Sequence, residues 1–117
     1  MDKLDCVLCR LLIRHVSGDE EIKVVYETEH VLAIHAIKPH AEVHILILSK
    51  KHIPSMLDLT EDDAELVADL HRAIKIASKE VFALKGGCKL EMNTGRFPLF
   101  TAVGHLHCHV IYDESLE

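Results

Sequence analysis

One long helix constrains this chain more than any other feature. It opens at Thr60 as N-cap, with Asp63 at the capping-box position in place of the usual Glu, and stops at Gly86-Gly87. Between these ends Val67, Leu70, Ile74, Ala77, Val81 and Leu84 recur in steps of three and four, a single apolar stripe that must pack on something flat. The rest of the chain supplies that surface. Strand-like runs cover Ile22 to Glu27, Val31 to Ile37 and Val43 to Leu48 before the helix, then Cys88 to Asn93 and His105 to Tyr112 after it. A short helix, Cys6 to Arg14 with Asp5 as N-cap, precedes them all, and Ser17, Gly18 and Asp19 end it. Strands arriving in blocks, not alternating with helices, predict an α+β fold on an antiparallel sheet of about five strands.

Length and composition set the frame. At 117 residues with 49% apolar content, the chain reads as one domain, 1–117, with a real core. No apolar run approaches the roughly 20 residues of a membrane span. The opening MDKLDCVLCRLLIRH carries acidic residues and Arg10 within its apolar stretch, which makes a poor signal peptide. Four cysteines without an export signal point to a reducing cytoplasm, where a Cys-x-x-Cys pair is a metal or redox motif before it is a disulfide. A net charge of -6 argues against binding a nucleic-acid backbone, though not against a small phosphate compound held by local donors.

Chemistry concentrates in GHLHCHVIY, residues 104 to 112. On a strand, His105, His107 and His109 share one face while Leu106, Cys108 and Val110 take the other. Adjacent same-face residues lie about 6.6 Å apart at Cα, a metal-ligand spacing, but the outer pair is about 13 Å apart and cannot share one ion. The three histidines therefore divide between different tasks. Cys6-Val7-Leu8-Cys9 supplies half of a tetrahedral zinc site without a second Cys-x-x-Cys, so histidines become the candidates for the missing ligands: His52, just past a strand, and one of the triple row. A reduced, merely buried cysteine pair stays open as an alternative. A thioredoxin-like redox motif would need a βαβ context that this strand order does not offer.

These residues resemble the histidine-triad (HIT) family. HLHCHVI is similar to its His-x-His-x-His strand, DCVLC to its zinc-binding opening, HILILSKKHI to its strand ending in Pro-Lys-Lys-His with Ser49 at the proline, and MNTG to its Asn-x-Gly. The resemblance runs in order over nearly the whole chain. It implies a HIT-like fold, usually dimeric, that acts as a nucleotide hydrolase or nucleotidyl transferase on a nucleoside phosphoramidate or dinucleoside polyphosphate. By the same matching His107 attacks the α-phosphorus, His109 contacts the phosphate or leaving group, and His44 joins that cluster. Ile37, Asn93 and Thr101 fall at nucleotide-binding positions. Structural zinc falls to Cys6, Cys9, His52 and His105.

Some positions depart from the pattern. Ala36 stands where relatives carry an Asp for the ribose hydroxyls. Residues 96 to 104, RFPLFTAVG, replace a small polar phosphate loop, with Phe100 at a Gly position and Thr101 at a Gln position; they read as a lid or a packed loop. These changes keep a second reading open, a catalytically weak nucleotide-binding regulatory module. A third is a metal-dependent hydrolase with a catalytic ion on His105 and His107. His35 reads as structural, and His15, His30, His40 and His71 as surface residues.

Overall fold

A computed structural model describes residues 6–94 and 104–116. Its elements are α1 (Val7–Val16), β1 (Val24–Glu27), β2 (Val31–His35), β3 (Val43–Ser49), α2 (Ala64–Lys85), β4 (Lys89–Glu91) and β5 (His107–Tyr112), with short 3-10 turns at Met56–Asp58, Glu61–Asp63 and Glu114–Leu116. The strands form one sheet in the order β1-β2-β3-β5-β4, and every neighbouring pair is antiparallel. The α+β architecture and the antiparallel sheet follow the sequence reading.

Each helix takes one face. Strand alternation sends Val31, Ala33, Ile45, Ile47, Cys108 and Val110 to the α2 side, where they pack on Leu66, Leu70, Ala73, Ala77 and Val81. The other set, Leu32, Ile34 and Leu48, packs under Leu8, Cys9 and Leu11 of α1 together with Cys6 and Ile22. The β3–β5 register sets Leu48 opposite His107, Leu46 opposite His109 and Ile111 opposite His44. Register partners share a face, so these histidines lie on the α1 side of the sheet.

Several boundaries differ from the sequence reading. The apolar stripe of α2 runs through Leu66, Leu70, Ala73, Ala77 and Val81, whereas Val67 is 43% exposed and Leu84 67% exposed. At both ends the pattern admitted two phases, and contact with a twisted sheet selects the one it can reach. Thr60 and Asp63 do form a capping box, but over a 3-10 turn that leads into α2, which then ends at Gly86 in the left-handed region (φ 83°). The N-cap of α1 is Cys6, not Asp5: its Sγ accepts the Cys9 N–H at 3.3 Å. β4 is trimmed to three residues, and His105 precedes β5 instead of belonging to it.

Candidate functional site

Two polar clusters sit on the α1 side. In the first, Cys6, Cys9, His52 and His105 bring one ligand atom each within 4.8 Å of the others. His105 Nδ1 lies 3.3 Å from Cys6 Sγ, 3.5 Å from Cys9 Sγ and 3.2 Å from His52 Nδ1, and Cys9 Sγ lies 3.1 Å from His52 Nδ1. Ligands about 2.0–2.3 Å from a tetrahedral ion are separated by about 3.3–3.8 Å, so this donor set fits a metal of that kind. The His105 ring is turned by its far side: Nε2–H donates to the Ser49 carbonyl at 2.7 Å, which fixes Nδ1 as the free lone pair. Ser49, fully buried, also donates its backbone N–H to Leu106 O at 3.2 Å, a bond that a proline there would forfeit. Burial pushes the His105 pKa down, which keeps that lone pair available.

His105 reaches this cluster because it lies ahead of the strand. Leu106 N–H donates to Ile53 O at 2.7 Å, tying the residue after His105 to the residue after His52. The strand alternation starts only with His107.

In the second cluster His107, His109 and His44 stand on neighbouring strands. His107 Nδ1–H donates to the His105 carbonyl at 2.7 Å, which leaves the lone pair of the neutral ring on Nε2. The His107 and His109 rings are edge-on, with centroids 5.0 Å apart. His44 and His109, diagonal across the β3–β5 ladder, bond from Nε2 to Nδ1 at 2.8 Å. The His40 amide faces His44 Nδ1 at 3.4 Å, so the neutral His44 carries its proton on Nε2 and donates it to His109. Burial, helped by His40 and His109, pushes the His44 pKa down to about 4. Burial also lowers that of His109, followed by His107 and His40. Both rings are therefore neutral at physiological pH.

A pocket of about 350 Å³ opens beside this cluster, walled by Leu8 and Leu11 of α1 and by Ile34, Ile37 and Leu46 of the sheet side, with His44 and His109 at its polar end. Ile37 thus lines it. So does Ala36, which contributes no carboxylate. Asn93 is exposed just past β4 and does not line this pocket. Thr101, Phe100 and the rest of the segment up to residue 103 lie outside the described residues.

Two participants escaped the sequence reading. His40, read as a surface residue, is exposed but stacks edge-on against His44 with centroids 4.2 Å apart, and lies 5.5 Å from His109. Glu91, register partner of His109, raises the pKa of both His44 and His109 against the larger effect of burial. Neither belongs to a short motif: His40 meets His44 locally, four residues along the chain, and Glu91 reaches His109 only through the β4–β5 pairing. Of the other histidines, His35 and His71 are exposed, His15 bonds Glu27 at 3.0 Å, and His30 faces Glu65 at 3.5 Å.

A His-x-His-x-His run that enters a strand from a Cys/His cluster, on the face opposite a long helix, defines a class of α+β domain. Known proteins share it. A family model described as "Scavenger mRNA decapping enzyme C-term binding" matches residues 5–116. A HIT-like protein of Synechococcus elongatus is 33% identical over 113 residues, which covers 96% of this chain and 93% of that protein. A HIT-like protein of Chlamydia muridarum is 32% identical over 98 residues, 84% of this chain and 76% of its own length. Among solved structures, a HIT family hydrolase from Clostridium thermocellum superposes with a TM-score of 0.77 at 30% identity, covering 97% of this chain and 94% of that one. A histidine triad protein from Clostridium difficile gives a TM-score of 0.71 at 31% identity, covering 95% and 92%. The chain belongs to the histidine-triad family.

Proposed function

We propose that this protein is a nucleotide hydrolase or nucleotidyl transferase that works through a nucleotidyl-histidine intermediate. The observation that carries the reading is the His107 tautomer: Nδ1–H is held by the His105 carbonyl at 2.7 Å, so in the neutral ring Nε2 carries the lone pair and is the nucleophilic nitrogen. Nε2 forms a bond to the α-phosphorus while the bond to the leaving group breaks, its electron pair departing with that group. Water then attacks the same phosphorus and the P–N bond breaks, returning the pair to Nε2. His109 stands 5.0 Å away, ring to ring, with Nδ1 occupied by His44 and Nε2–H free to donate to a phosphate oxygen or the leaving atom. The largely apolar pocket against α1 suits a nucleobase, and the family resemblance points to a nucleoside phosphoramidate or dinucleoside polyphosphate as substrate.

Structural zinc belongs to the same reading. Cys6, Cys9, His52 and His105 would hold it with all four positions filled by protein, which leaves no site for a reacting water. The His105–His107 catalytic-ion alternative loses ground, because His105 turns Nδ1 to the cysteines and His107 Nδ1 faces a carbonyl.

The test is intact-mass analysis after incubation with a panel of nucleoside phosphoramidates and dinucleoside polyphosphates. A nucleotidyl adduct is expected in wild type and none in His107→Ala, whose turnover should vanish while metal content and nucleotide affinity stay near wild type. Ala36 favours a second reading, a nucleotide-binding module with weak turnover. Binding without any adduct or hydrolysis across the panel would select it.

The proposal extends to a two-fold dimer. β4 is an edge strand of three residues with Leu90 exposed, and Phe82 and Leu84 are exposed at the adjacent end of α2. Such an edge and apolar patch are commonly covered by a second copy. Light scattering at micromolar concentration should give twice the chain mass, and Leu90→Lys with Phe82→Glu should give the monomer. A wild-type monomer would refute the assembly.

A further inference from the structure

His40, His44 and His109 each bring one ring nitrogen within 4.8 Å of the other two, in a cluster separate from the four-ligand Cys/His site. From this geometry we infer a second metal site, one that takes a divalent transition ion of the imidazole-preferring kind (Zn2+, Co2+, Ni2+ or Cu2+) through His40, His44 and His109.

Three features support it. All-nitrogen imidazole sets suit these ions, not Mg2+ or Ca2+. His40 comes from an exposed loop position with its ring already against His44, so reaching the about 3.3 Å edges of a tetrahedral site takes an approach by His40 and a widening of the 2.8 Å His44–His109 contact by about half an ångström. Glu91, paired with His109 across β4 and β5, faces the same side of the sheet and supplies negative charge to balance the cation. Three protein ligands leave one position open to water or to an oxygen anion.

Binding of the ion switches the His44 tautomer. In its absence His44 Nε2–H donates to His109 Nδ1 at 2.8 Å. With an ion bound, that proton moves to His44 Nδ1, which gives up the long 3.4 Å contact from the His40 amide. Both nitrogens then offer lone pairs to the metal, and no net proton is gained or lost at His44.

The test starts from zinc-loaded protein with no nucleotide present, so that it stands whether or not the chain hydrolyses anything. Co2+ is added and followed by visible d–d absorption. The expected result is one further equivalent, without the near-ultraviolet sulfur-to-cobalt band that would signal exchange into the Cys6/Cys9 site. His40→Ala should weaken this binding by about tenfold or more, since losing even an outer-shell partner typically costs about 10–100-fold. His71→Ala, at an exposed helix position, should leave it unchanged. Absence of a second equivalent at millimolar Co2+, or equal losses in the two variants, would overturn the site. In the second case the binding is diffuse surface-histidine affinity.

Discussion

His44 shows what one buried imidazole can do to the whole protein's response to acid. Its native pKa is pushed down to about 4, first by burial and then by His40 and His109, whereas in an unfolded chain it titrates near 6.5. Between those values the unfolded state binds a proton that the native state refuses. Stability is therefore complete above about pH 6.5 and is lost as the pH falls toward 4, by roughly 3 kcal/mol for this group at the acid end. Urea midpoints measured from pH 7 to 4.5 should fall steeply in wild type and less steeply in His44→Gln, which cannot take up the proton. Parallel curves would refute this account. At this scale the motif residues were legible, because strand period alone put His107 and His109 on one face. His105 was not fully legible, since its turn toward the cysteines depends on Leu106 bonding Ile53 across a long sequence gap. His40 was illegible for a different reason: the turn that folds it onto His44 four residues later carries no motif, and its approach to His109 needs β3 and β5 to pair.

The start of α2 does more than begin a helix. Thr60 Oγ accepts the Asp62 N–H at 3.3 Å, Asp63 accepts the Thr60 N–H at 2.9 Å, and Lys51 Nζ bridges to Asp63 at 3.1 Å. The turn is thereby tied to the segment carrying His52, a member of the Cys/His cluster. Removing the Thr60 oxygen leaves a helical donor without its cap. Thr60→Ala should cost about 1 kcal/mol, a drop in urea midpoint of about 0.5–1 M at unchanged slope. Thr60→Ser should retain most of it. An alanine variant with a wild-type midpoint would show that water replaces the cap without loss. The capping box was readable from Thr60 and Asp63 alone because capping is local chemistry. The phase of the apolar stripe was not. Leu66 and Val67 are both apolar neighbours on the helix, and only the position of the sheet makes Leu66 buried and leaves Val67 in solvent.

At the scale of the whole molecule the two faces of the sheet are built differently. The α2 face buries a broad apolar cluster drawn from three strands, β2, β3 and β5, and a helix of 22 residues. The α1 face rests on a 10-residue helix whose inner side is Leu8, Cys9 and Leu11, with Cys6 as its cap. An isolated helix of that length is marginal in water. What fastens it is the meeting of Cys6 and Cys9 with His52 and His105, residues far apart in the chain, so an ion bound there contributes its binding energy to docking this one helix. Metal removal should therefore act locally. After chelation of zinc-loaded protein, hydrogen exchange at the α1 amides should accelerate toward the unprotected rate, while amides of α2 and the centre of β3 and β5 stay protected. Cys6→Ser/Cys9→Ser should show the same pattern without chelator. Because Leu8 and Leu11 wall the pocket, nucleotide affinity should fall together with α1 protection, although His44, His107 and His109 are untouched. Uniform loss of protection across both faces would show that the cluster supports the entire fold instead, and unchanged α1 exchange would show that apolar packing alone holds the helix.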